Sequence, residues 1–256
     1  MFHSLKQVIK TLIQEFKRLL CWNNISSQIF TVNDFGKLRF ICGNRTEYYR
    51  SVEFGGEKKS LASFLFMLEP DDVVWDIGAS IGLFATHAAS IVKKVVAFEP
   101  DPATFNRLKQ NVDLNGFTSK VVLHQIALGS EQGKITFQTD GLDGNAPSIA
   151  NLGRHQHIIE VEISTIDKLI KEGEIVPTVL KIDIEGAEIL ALRGAKTLLK
   201  SPQKPRILFI EVHPTFLENY QSNAEEIETI IKESDYKTIG INRRGEQFHI
   251  IAFSQN

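Results

Sequence analysis

Cysteine is nearly absent from this chain: Cys21 and Cys42 are the only two among 256 residues, and they form no C-x-x-C pair. That excludes a disulfide-stapled scaffold and a structural zinc centre, and it points to a reducing, cytoplasmic compartment. No apolar run approaches the ~20 residues of a membrane span. The N-terminus alternates polar and apolar residues instead of carrying the apolar stretch of a signal peptide. Charge of one sign is not in surplus either. The formal net charge of −2 gives no basic surface for nucleic acid. Two familiar glycine signatures are also missing. Ala79, Ser80 and Ile81 separate Gly78 from Gly82, so no G-x-G-x-x-G dinucleotide fingerprint forms, and no lysine follows Gly82 as a P-loop needs.

What is present is enough apolar material, 43% of residues, for one sizeable core. The chain is organised around residues 73–99. Val73 to Ile77 is an apolar run too short for a helix and bounded by turn residues, which suits a parallel strand covered on both faces. A glycine loop follows, then a helix from about Leu83, then a second buried strand ending at Glu99. Gly78 and Gly82 let the backbone turn sharply and approach a ligand near a helix N-terminus. Asp76 would repel a pyrophosphate but tolerates a ligand carrying an ammonium group. Glu99 sits where a carboxylate accepts hydrogen bonds from a ribose diol. A plainer reading has Asp76 cap the loop while the two glycines only turn it.

The rest of the chain frames this stretch. Residues 1–22 carry an apolar stripe (Phe2, Leu5, Ile9, Leu12, Ile13, Phe16, Leu19, Leu20) opposite Lys6, Lys10, Lys17 and Arg18. The spacing predicts an amphipathic helix, packed on its own domain or on a partner subunit of a homo-oligomer. Peripheral membrane contact is the other use of such a face. Residues 28–42 read as a hairpin, so residues 1–56 form an N-terminal extension and 57–256 the main domain. A helix is expected over about Ser60 to Leu68, another from Ala103 to Leu114, and a third strand over Val121 to Gln125. Ile126 and Ala127 then stand at a strand end, where an adenine can lie between apolar side chains. Lys134–Gln138 and Ile158–Ser164 look like arms of a long hairpin, and the loop from Asp140 to Ser148 between them is long and polar enough to be a lid or binding loop.

A second chemical stretch runs Val179-Leu-Lys-Ile-Asp183-Ile-Glu185-Gly-Ala-Glu188. Ligands of open parallel sheets bind outside the carboxyl ends of the strands, so Asp183 should face the same crevice as Asp76. The strand from Pro205 to Val212 brings Glu211 and His213 to that edge. The chain ends on an antiparallel pair, Tyr236–Ile241 and Gln247–Phe253.

These motifs, in this order, resemble the FkbM-type S-adenosylmethionine-dependent methyltransferases over roughly Glu57 to Val212. Asp76-Ile-Gly-Ala-Ser-Ile-Gly82, Ala97-Phe-Glu-Pro-Asp-Pro102, Asn111-Val-Asp-Leu-Asn115, Lys181-Ile-Asp-Ile-Glu-Gly-Ala-Glu188, Arg193-Gly-Ala195 and Glu211-Val-His213 carry the likeness. The resemblance implies an α/β fold with a seven-stranded, mostly parallel Rossmann-like sheet of order 3-2-1-4-5-7-6, last strand antiparallel. It also implies methyl transfer to a hydroxyl on a sugar, glycan or hydroxylated natural product. Asp76, Gly78, Ala79, Gly82, Glu99, Pro100, Ile126, Ala127 and Asp183 would then bind S-adenosylmethionine. Asp183, Glu185 and His213 are the candidates to activate the acceptor, His213 having a suitable intrinsic pKa near 6.5. Asp183 with Glu185 or Glu211 could hold a divalent metal, but nothing fixes a ligand set and none is assigned. Asp183-Ile-Glu-Gly stands where base N-methyltransferases carry Asn/Asp-Pro-Pro-Tyr/Phe, which argues against nucleic-acid methylation. A small-molecule N-methyltransferase and a non-catalytic cofactor-binding scaffold remain as alternatives.

Overall fold

A computed structural model describes residues 27–143, 149, 157–244 and 246–255. The expected helix at 1–22 and most of the loop up to Ser148 lie outside the described residues.

The sheet forms as the apolar runs predict. Strands β3 (Val73–Ile77), β4 (Lys94–Phe98), β5 (Val121–His124), β9 (Val179–Ile182), β10 (Ile207–Val212), β11 (Tyr236–Arg244) and β12 (Gln247–Ser254) lie side by side as β5-β4-β3-β9-β10-β12-β11. Counted in chain order within the sheet, that is 3-2-1-4-5-7-6, as the resemblance implies. The first five in space are parallel. The last strand, β12, runs antiparallel to both β10 and β11. Every residue of β3 and of β10 is buried, as continuous apolar strands covered on both faces should be.

Alternation splits the side chains between two cores. Trp75, Ile77, Val96, Phe98, Leu180, Ile182, Leu208 and Ile210 point to one face, where α6 (Glu188–Arg193) and α7 (Ala224–Glu233) close over them. Val74, Val95, Ala97, Val179, Ile207 and Phe209 point to the other, covered by α2 (Lys58–Phe66), α3 (Leu83–Ala89) and α4 (Pro102–Leu114). Burying one such side chain stabilises the fold by about 1.5–3 kcal/mol. Local signals set the helix ends. The carboxylate of Asp101 accepts from Thr104 N at 2.7 Å with Pro102 at the first helical position, and the side chains of Thr165 and Asn223 cap α5 (Ile166–Lys171) and α7.

Two smaller pieces attach to this frame. Strands β6 (Ala127–Leu128), β7 (Gly133–Thr139) and β8 (His157–Ser164) form a separate three-stranded sheet in which β7 and β8 are the expected long hairpin. The N-terminal hairpin, β1 (Gln28–Val32) with β2 (Leu38–Cys42), also forms as expected. It leads into a helix the sequence reading did not pick out, α1 (Arg45–Ser51), capped by Asn44. The hairpin and α1 are fastened to α4. Asn111 Oδ1 accepts from Ile41 N at 2.9 Å, Asn115 Oδ1 from Arg39 N at 2.9 Å, and the buried Glu47 meets Arg107 at 2.6 Å. Removing one partner of a buried pair like that costs about 3–5 kcal/mol.

Candidate active site

The carboxyl ends of β3, β4, β9 and β10 open into a crevice of about 1070 Å³, its mouth included. The glycine loop after β3 forms the floor. Gly78 has φ of +82°, and a Cβ there would lie 1.9 Å from the Asp183 carbonyl oxygen. Only glycine lets the two strand ends approach so closely. Gly78 N and Ala79 N donate to Phe98 O at 3.1 and 3.0 Å, which ties the loop to β4. Ser80, also left-handed at φ +50°, turns its N–H to Glu99 Oε2 at 3.0 Å.

Glu99 is 3% exposed, and its other oxygen accepts from Asp101 N at 2.9 Å. Burial, and next to it the charge of Asp101, outweigh its hydrogen bonds and Arg50, so the carboxyl is pushed up to about 7. Beyond Glu99 and Pro100, the apolar side chains of Phe98, Ile126, Ala127, Leu128, Phe137 and Ile149 line a slot.

The other end of the crevice is polar. Asp183, 23% exposed, stands at the end of β9 with Lys181 Nζ 3.6 Å from its Oδ2. Burial and the neighbouring Glu211 push Asp183 up, Lys181 and His213 pull it down, and it settles at about 6. Glu185 follows in a left-handed conformation, φ +53°, a strain of ~1–3 kcal/mol that folded proteins tend to store at functional sites. His213, at the end of β10, places Nδ1 2.8 Å from Glu188 Oε1. Burial alone would lower its pKa. The hydrogen bond and charge of Glu188, with the charges of Asp183 and Glu185, raise it to about 9 instead. At neutral pH His213 is therefore an imidazolium, not the free base that its intrinsic pKa suggests.

The structure gathers Gly78, Ala79, Glu99, Pro100, Ile126, Ala127, Asp183, Glu185 and His213 around one crevice. Two expected cofactor contacts stand back from it. Asp76 is fully buried behind the wall, hydrogen-bonded to Lys181 Nζ at 2.9 Å, and its Oδ2 has no hydrogen-bond partner among the described residues. Gly82 opens α3 at φ +92°, where a Cβ would meet Leu108 Cδ1 at 2.7 Å. It serves the turn and the packing of α4. Sequence reasoning missed Arg50, Gly55 and Glu57, which reach the crevice from the N-terminal side. The boundary placed at residue 57 thus runs through the wall of the site. Lys181 was quoted only as part of a motif. A lysine inside an apolar strand run was the available signal.

The donor set fits S-adenosylmethionine. A carboxylate and an apolar slot suit the nucleoside. At the other end the carboxyl groups of Glu57, Asp183, Glu185 and Glu211 outnumber the cations Arg50, Lys181 and His213, which suits a sulfonium cation. Carboxylate oxygens of Glu57, Asp183 and Glu211 lie within 4.8 Å of one another. Lys181 already brings a positive charge to this group, and nothing further marks it as a metal centre.

The profile of the methyltransferase FkbM domain matches residues 76–238. The hexuronic acid methyltransferase AglP of Haloferax volcanii is 33% identical over 216 residues, 79% of this chain and 84% of that protein. The 31-O-demethyl-FK506 methyltransferase FkbM of Streptomyces tacrolimicus is 29% identical over 57% of this chain and 67% of its own length. Among solved structures, an FkbM methyltransferase from Methylobacillus flagellatus superposes with a TM-score of 0.52 at 20% identity, over 75% of this chain but only 45% of that one. That likeness concerns the fold.

Proposed function

Because the chain belongs to the FkbM methyltransferase family, we propose that it uses S-adenosylmethionine to methylate a hydroxyl on a sugar, glycan or hydroxylated natural product. The observation that carries this is Asp183, a partly exposed carboxylate at a strand end between two cations, Lys181 and His213. The names of the relatives, a hexuronic acid enzyme and a 31-O-demethyl-FK506 enzyme, support an oxygen acceptor.

S-adenosylmethionine supplies an electrophilic methyl group on a positively charged sulfur. The protein's part is positioning and proton removal. Glu99 accepts hydrogen bonds from the ribose hydroxyls, while Phe98, Ile126 and Ala127 bound the adenine. Asp183 takes the proton of the acceptor hydroxyl, which is a poor nucleophile while it keeps that proton. With a pKa of about 6, Asp183 is ionised at pH 7 yet more basic than an ordinary carboxylate. His213 contributes a fixed positive charge beside it, and Glu185 sets the local field. Small-molecule or glycan acceptors enter at the polar end.

No helix among the described residues is long and apolar enough to cross a membrane. Residues 1–22 would serve either for packing, on this domain or on a second copy, or for contact with a membrane surface. Sedimentation of the protein with and without that segment, and its binding to anionic vesicles, distinguishes the two. The function itself is tested by calorimetry with S-adenosylmethionine and by transfer of labelled methyl into carbohydrate extracts. Absence of cofactor binding would overturn it.

A further inference from the structure

Lys181 is 2% exposed on a central strand whose neighbours Leu180 and Ile182 are fully buried. It faces Asp76 directly in the β3–β9 register. Taking an ammonium out of water is costly, and well-packed apolar residues often replace a buried ion pair with no loss of stability. Packing therefore does not account for a lysine here. Its Nζ is fixed by Asp76 Oδ1 at 2.9 Å, lies 4.6 Å from the Phe84 ring centroid, and stands 3.6 Å from Asp183 Oδ2.

We propose that Lys181 is a positioning residue of the site: Asp76 anchors its ammonium, and the ammonium keeps the Asp183 carboxylate ionised and turned to the crevice. The proposal rests on reading Asp183 as the proton acceptor. The groups around Asp183 show why it needs such a partner. Glu211 reaches it from β10, Glu185 from the turn that follows β9, and Glu57 from the segment before α2. Each negative charge favours the protonated, inactive acid. Against them stand Lys181 and His213. His213 is shared with Glu188 at 2.8 Å, and the nearby His249 Nε2 is taken up by Glu211 at 3.2 Å. Lys181 is the cation two residues before Asp183, and its ammonium is held in place by Asp76 on the neighbouring strand.

The test is an NMR titration of protein carrying carbon-13 in its aspartate carboxyl groups, with Asp183→Asn identifying the Asp183 signal. The wild-type midpoint should lie at about 6. Lys181→Met should raise it by about 1–3 pH units, and Lys181→Arg should restore most of the shift. Lys181→Met leaves Asp76 buried and uncompensated and can fail to fold, so Lys181→Met combined with Asp76→Asn, beside Asp76→Asn alone, makes the same comparison without a stranded charge. An unmoved midpoint in the double variant would overturn the proposal. So would a wild-type midpoint that falls when millimolar Mg²⁺ is added, since the cation at Asp183 would then be a metal. The titration needs no acceptor. An Asp183→Asn protein with full turnover would sink the proton-acceptor reading instead, and the titration would still judge Lys181 on its own.

Discussion

Asp183 and Gly78 meet backbone to backbone at the mouth of the crevice: a single carbon added at Gly78 would lie 1.9 Å from the Asp183 carbonyl oxygen. The glycine loop and the strand end that carries Asp183, proposed to bind the cofactor and to face the acceptor, are thus held at one fixed separation. Gly78→Ala cannot be absorbed by a side-chain movement, because the obstacle is backbone. It should lower stability by about 2 kcal/mol or more and abolish cofactor binding. Gly116→Ala is the control. Gly116 is also left-handed, φ +72°, with nothing within 4 Å of an added Cβ. It should cost only about 1 kcal/mol, with binding unchanged. Urea melts and calorimetry read both.

Glu99 is oriented by the backbone, one oxygen on Ser80 N and the other on Asp101 N. At pH 8.5, above its pKa of about 7, Glu99→Ala should weaken S-adenosylhomocysteine binding about 10- to 100-fold, the loss expected for hydrogen bonds to a charged acceptor. Indifference of binding to this change would move the ribose elsewhere in the crevice.

Turnover should follow a bell in pH. The acid limb falls near pH 6, where Asp183 becomes protonated, and the alkaline limb near pH 9, where His213 loses its charge. Asp183→Asn should cut the rate by about 10²–10⁴-fold while cofactor affinity holds. An activity that rises through pH 6.5 and responds to His213 alone would restore the histidine as base.

Stability should fall on the alkaline side. His213 has a folded-state pKa of about 9 against 6.5 for the free side chain, so its contribution is complete below pH 6.5 and is lost as pH rises through 9. That contribution is of order 3 kcal/mol. Glu99, raised to about 7, acts in the same direction, its share lost as pH rises from the ordinary glutamate range through 7. Thermal melts between pH 6 and 9.5 should show the decline, and Glu188→Gln should flatten its upper part. An equal slope in that variant would mean that another group carries the effect.

Much of this was written in the chain. Short apolar runs ending in Asp76, Glu99, Asp183 and Glu211, separated by helix-length segments, determine a parallel sheet with its acidic residues at one edge, because strand period and turn chemistry are local properties. The helix from Ala103 to Leu114 and the hairpin over residues 28–42 were legible for the same reason. The partnerships were not. Lys181 and Asp76 are 105 residues apart, and no sequence pattern says that one will neutralise the other and withdraw it behind the crevice wall. His213 looked like a base until Glu188, 25 residues earlier in the chain, was placed against its ring. Arg50 and Glu57 enter the crevice only because the N-terminal hairpin and α1 dock on α4. Which groups are present, and which strand ends carry them, follows from the chain alone. Their protonation and which of them touch a ligand were decided by the tertiary structure, since both depend on burial and on charges brought close from distant parts of the chain.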